Sequence, residues 1–249
     1  GADRIQAGFQ NFVDVGAYAY VGSAFPVIWG SKFLRDDASG KIVVDSDSSY
    51  PTYGMPLTAP ETGPIADVNP DFEVGFNNSF RYKNLTLSAT IDWRQGGHLS
   101  SGLNRLGMLY GMLEMTEDRE SKHILDAMKG HLDDNGNTVI DGVNDIEIEK
   151  GRTYWNNVMA NISEANVYET TFVRLREVTL NLELPKAWLK PVNIANMSVY
   201  AMGRNLLMIT DYPNFDPESS TSTGNGTGAF EYVALPNTKS LGFGVKITF

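Results

Sequence analysis

Three histidines, His98, His123 and His131, are the first residues to test for chemistry. None sits in a His-Glu-x-x-His spacing, and a chain with no cysteine has no thiolate to complete a zinc set. They read as surface or loop histidines. Asp133-Asp-Asn-Gly-Asn-Thr-Val-Ile-Asp141 offers oxygens at spacing two through Asp133, Asn135 and Asn137, hard ligands of the kind calcium prefers. An EF-hand loop needs glycine in sixth place and glutamate in twelfth, where this chain has Thr138 and Asn144, so the stretch reads as a polar turn. Gly224-Asn-Gly-Thr-Gly228 has the composition of a phosphate loop but lacks a preceding strand and a following helical pattern. There is no Gly-x-Ser-x-Gly elbow to supply a nucleophile. Carboxylates abound, and among 30 acidic residues any pair can be made to fit a glycosidase spacing. The sequence therefore names no catalytic, cofactor-binding or metal-binding residue, and the expectation is a protein that is not an enzyme.

What the sequence does carry is period two. From Tyr168 to Leu184, Phe172, Arg174, Arg176, Val178, Leu180, Leu182 and Leu184 fall on one face, with Val173, Leu175, Glu177, Thr179, Asn181 and Glu183 on the other. That is a strand pattern, and one far longer than the usual 5–6 residues or so. It has the length of roughly 9–11 residues that a membrane-crossing strand needs. Two arginines on the greasy face are the misfit. The same alternation predicts strands over 5–21, 72–82, 85–93, 196–210 and 238–249. The pair 72–93 reads as a hairpin turning at Lys83-Asn84, where asparagine can take positive φ. Residues 103–129 suggest one or two short helices, and 133–144 a turn-rich loop. The connections alternate long and short (22–71, 83–84, 95–167, 185–195, 211–237), so strands running up and down place every long loop at one end. A net charge of −10 argues against a nucleic-acid partner, and no apolar run is long enough for a transmembrane helix. Of the tryptophans, Trp93 and Trp188 suit an aromatic girdle. Trp155 fits either a girdle or a sugar-stacking site, and Trp29 is left open between the two.

The ordered series Asn69-Pro-Asp-Phe72, Gly75-Phe-Asn-Asn78, Tyr82-Lys-Asn84, Asp92-Trp-Arg-Gln-Gly-Gly97, Phe172-Val-Arg-Leu-Arg-Glu177, Gly203-Arg-Asn-Leu206, Tyr212-Pro-Asn-Phe-Asp-Pro-Glu218 and terminal Phe249 resembles the C-terminal part of the SusC/RagA-like family of TonB-dependent outer-membrane transporters. Phe33-Leu-Arg-Asp36 and Gly40-Lys-Ile-Val-Val-Asp45 resemble one branch of it. The resemblance implies an all-β chain of antiparallel up-and-down strands, the C-terminal segment of a large outer-membrane β-barrel, with short helices in the long extracellular loop. Residues 1–249 would be one barrel segment of about six long strands, with the plug domain and N-terminal strands absent. It further implies uptake of an oligosaccharide or peptide ligand in the outer membrane of a Gram-negative bacterium. Partners would be a SusD-like surface lipoprotein, outer-membrane lipid, and the TonB complex reached through the absent N-terminal part. Loops 95–167 and 211–237 are the places to look for ligand or lipoprotein contacts. The rival reading is a soluble cell-surface β-sandwich carbohydrate-binding module.

Overall fold

The computed structural model describes residues 3–7, 15–221, 228–232 and 234–249. They fall into two compact units. The first comprises residues 1–69, 97–168 and 220–234, and the second 70–96, 169–219 and 235–249.

The second unit is a single sheet of five strands. These are β1 (Pro70–Tyr82), β2 (Leu85–Gly96), β3 (Phe172–Glu183), β4 (Asn196–Thr210) and β5 (Ser240–Thr248). Each pairs antiparallel with the next in sequence, giving the spatial order β5-β4-β3-β2-β1. With neighbours antiparallel, the two-residue 83–84 turn and the 184–195 turn share one end of the sheet. Connections 97–171 and 211–239 leave from the other end, so the expected segregation of loops is present.

Registers line the side chains up in rows. One face carries Val74–Trp93–Val173–Ile209, then Phe76–Ile91–Leu175–Leu207, then Phe80–Leu87–Leu180–Ala201–Phe243 and Tyr82–Leu85–Leu182–Val199–Val245. The opposite face carries Asn77–Thr90–Glu177–Arg204–Ser240 and Ser79–Ser88–Thr179–Met202–Gly242. Among the described residues nothing covers the first set, as Phe80 is 68% and Phe243 82% exposed. On the polar face, the Thr90 hydroxyl donates to Asn77 (2.8 Å) and Ser79 meets Ser88 (3.0 Å).

The face assignment of β3 needs a correction. A β-bulge falls between Leu175 and Glu177, so consecutive residues of β2, Ile91 and Thr90, oppose Leu175 and Glu177. Arg176 is the extra residue, and parity flips there. The apolar face is Val173, Leu175, Val178, Leu180 and Leu182, and neither arginine lies on it. Opposite the bulge β4 sets two residues, Asn205 and Leu206, against the single Arg176, with Asn205 in the left-handed conformation (φ 51°), which asparagine tolerates better than most.

Five further expectations change. The long strand begins at Phe172, not Tyr168, because Val167–Glu169 is a separate short strand. In place of the expected strand over 5–21 there are two short antiparallel strands, Arg4–Gln6 paired with Gly16–Tyr20, leaving five long strands instead of six among the described residues. Alternation alone does not tell one long strand from two shorter ones, and residues 8–14 lie outside the described set. In 103–129 only Gly102–Tyr110 is α-helical, capped by the Ser101 side chain and ended by Gly111 at φ 63°, with a 3₁₀ turn at Glu114–Thr116. Lys122–Ile124 and Met128–Leu132 are strands, since pairing with neighbours overrides their helix-forming composition. Thr138–Val143, expected as loop, pairs with Met128–Leu132. At the 83–84 turn it is Lys83, not Asn84, that takes positive φ (53°). Asn84 instead donates its side-chain amide to the Glu183 carbonyl, 3.0 Å.

The first unit has an interior of its own. Val15, Ala17, Ile28, Val68, Ala229 and Phe230 pack together with almost no exposure. Buried Glu231 accepts from Ser101 Oγ (2.8 Å) and the Leu103 amide at the start of the helix, where backbone N–H groups favour an anion.

Candidate functional site

Two residues apart, Arg174 and Arg176 share one side of β3, and the bulge makes that side the polar face, at the end of β3 nearest the long connections. The segment after β4, Tyr212 to Ser219, lies over them. Asp216 Oδ1 accepts from Arg174 Nη2 at 2.5 Å, with the side chains 2% and 5% exposed. Glu218 takes both terminal nitrogens of Arg176, one at 2.7 Å, and lies 3.1 Å from Arg174 Nη1. Arg176 Nε donates to Asp92 of β2 at 2.5 Å. The buried Phe172 ring sits under both guanidinium groups, 5.4 and 5.8 Å from its centroid.

Asp216 has a second set of partners. Its Oδ2 accepts from the backbone N–H of Asn237 (3.1 Å) and from the Asn237 side-chain amide (3.0 Å). Burial works to raise its pKa, but the Arg174 hydrogen bond and the amides of Glu218 and Asn237 outweigh it and hold the carboxyl below its usual range. One carboxylate therefore ties the beginning and the end of connection 211–239 to the same strand. Next to it a cleft of about 240 Å3 is lined by Glu73, Asp92, Arg94, Phe172, Arg176 and Glu218, among others.

The residues tested first for chemistry are scattered. His98 Nδ1 lies 3.2 Å from the Asp67 carbonyl, His123 pairs with Asp118, and His131 Nδ1 lies 3.1 Å from Asp141. Ser46 Oγ donates to that same Asp141 oxygen (2.6 Å), so the imidazole does not stand between hydroxyl and carboxylate as a proton relay requires. Among the described residues no group of three His, Asp or Glu is arranged to hold a metal ion. Asp133 accepts the backbone N–H of Asn135 and Asn137 and the Asn137 side chain, closing the turn of a hairpin. Residues 222–227, most of the glycine-rich stretch, lie outside the described set. Trp93 is on the apolar face at the long-connection end, edge-on to Phe72 (4.9 Å), and Trp188 is 69% exposed near the opposite end. Trp155 is buried against Tyr154 and offers no face to a sugar. Trp29 is hydrogen-bonded to Thr62. Asp92, Asp216 and Glu218 stand in motifs of the resemblance but were given no role there, and Asn237 was not singled out at all. Their signal was the two arginines on a greasy face, which needed carboxylates within reach.

No family model matches the chain. Over 92% of its length it is 27% identical to TonB-dependent receptor P3 of Formosa agariphila and 26% identical to TonB-dependent receptor P26 of the same organism. The chain spans about a fifth of the length of these curated relatives (21% and 23%). Its whole length superposes on a quarter of a chain of the RagAB peptide importer in the closed-closed state, with a TM-score of 0.62 and 20% identity. The open-open state gives a TM-score of 0.60 at 18% identity. The chain is thus related in sequence to TonB-dependent receptors, and its fold is that of a segment of a TonB-dependent transporter barrel.

Proposed function

We propose that this chain is the C-terminal stretch of barrel wall, with its surface loops, of an outer-membrane importer. The intact protein takes up oligosaccharides or peptides together with a SusD-like surface lipoprotein and is driven through TonB. The observation that carries this reading is the two-faced five-strand sheet. Its strands of 9 to 15 residues are long enough to cross a bilayer. One face is uncovered and apolar and the other hydroxyl- and amide-rich, as lipid on one side and a wet interior on the other would require. Trp93 and Trp188 near opposite ends fit the two interfacial belts. The similarity in fold to the RagAB peptide importer favours peptides among the cargo classes. A soluble β-sandwich fits less well, since it would bury its apolar face against a second sheet.

Two observations on the intact protein test the reading. It should partition with outer membranes and require detergent for extraction. Cells lacking it should lose import of a labelled peptide pool or a labelled neutral oligosaccharide pool, and wild-type import should stop when the proton gradient is collapsed. Aqueous extraction as a monomer, or import indifferent to both gene and gradient, would overturn it.

A further inference from the structure

Burying charged groups is a poor route to stability, because desolvation roughly cancels the attraction between them; what a fully paired cluster supplies is one geometry. In this wall Arg174 and Arg176 share a face by alternation, and the bulge makes it the polar face by turning Val178, Leu180 and Leu182 to the other side. The groups the two arginines hold belong to a connection that begins at Asp211 and ends at Lys239. Asp216, near its beginning, is joined through its two oxygens to Arg174 and to Asn237, near its end. Glu218 adds a two-pronged contact with Arg176.

We infer that Arg174 and Arg176 are positioning residues that lock the stem of the 211–239 connection onto the polar face of the wall, and that import depends on this lock, not on contact between these groups and cargo. The inference rests on the importer reading for its second half only. Arg174 is almost wholly enclosed, and all three N–H directions of Arg176 used in the cluster are spent on Asp92 and Glu218. The Arg174 Nε has no partner among the described residues but is enclosed with the rest of that side chain, and both donor edges of Arg176 are already engaged, so neither presents a free fork to a ligand. With its carboxyl held below the ordinary range, Asp216 stays ionised through neutral and mildly acid conditions.

The test uses the intact transporter carrying Arg176→Met and, separately, the milder Glu218→Gln. Three quantities are read: barrel assembly by heat-shifted gel mobility, cleavage within 211–239 by an external protease, and import of the labelled peptide and oligosaccharide pools. The lock predicts assembled barrel at wild-type level, cleavage faster by about tenfold or more as the stem opens locally, and import lower by a similar factor. Glu218→Gln should show smaller changes in the same direction. Lost import with unchanged cleavage would mean a direct ligand contact and overturn the inference, as would faster cleavage with full import. Loss of assembly in both variants would also overturn it, since the cluster would then belong to the wall itself. If the wild type imports neither pool, the importer reading fails, and the cleavage measurement alone decides whether the lock exists.

Discussion

The two units solve the problem of apolar side chains in opposite ways. In the first, Ala17 and Ile28 have no exposure at all and the short strands wrap a private interior. In the second, five strands of nearly twice the ordinary length hold one another by ladders. They leave Phe76, Phe80, Leu241 and Phe243 about half to four-fifths uncovered (48%, 68%, 74% and 82%). Burial from water stabilises by about 25 cal/mol per Å2 of apolar surface, a gain the second unit does not collect for itself. It is built for a different solvent, and the same kind of side chain does different work on either side of that divide.

That contrast can be broken by substitution. Ile28→Ala, in the enclosed cluster, should cost about 2–5 kcal/mol in unfolding free energy of the first unit, because the vacated space cannot be refilled. It should leave barrel assembly untouched. Val178→Arg, mid-strand on the apolar face, should cost about 2–4 kcal/mol in lipid and much less in water, where the face is already solvated. Its neighbour Thr179→Arg, on the polar face, should cost a small fraction of that in either medium. Equal costs at 178 and 179 in lipid would erase the distinction between faces.

The smallest effect belongs to an exposed turn of the first unit. The Asn137 side chain, with the Asn137 and Asn135 amides, holds Asp133 below the normal carboxylate pKa. A carboxyl depressed in the folded state lends stability that is present above its unfolded pKa and is lost as pH falls through the folded value. Protection of the 133–137 amides from hydrogen exchange should therefore weaken below about pH 4, and Asp133→Asn should remove that dependence.

The wall was legible in sequence for a physical reason. Strands with two different solvents on their faces must alternate, and Phe72 to Trp93 or Leu241 to Phe249 carry that alternation openly. The bulge at Arg176 was hidden, since one extra residue reverses parity without altering composition. Its trace was the pair of arginines on a face that had no place for charge. The first unit was much less legible: strands of three to five residues such as Lys122–Ile124 or Val43–Asp45 are too short to show a period, and long-range pairing decides them. Asp216 and Asn237 could not be joined on paper, because nothing in the sequence says that a connection's two ends meet on one carboxylate.

The central claim is that unit two is a section of membrane wall whose faces exchange parity at Arg176. Single cysteines can be placed at each position from 173 to 182 of the intact protein, cleared of any other cysteine, in lipid vesicles and spin-labelled; these 249 residues contribute none of their own. Collision with oxygen reports lipid exposure, and collision with a water-soluble nickel chelate reports aqueous exposure. Oxygen maxima are predicted at 173, 175, 178, 180 and 182, with nickel maxima at 177, 179 and 181. Unbroken alternation grouping 174, 176, 178 and 180, or aqueous exposure at every position, would contradict the account.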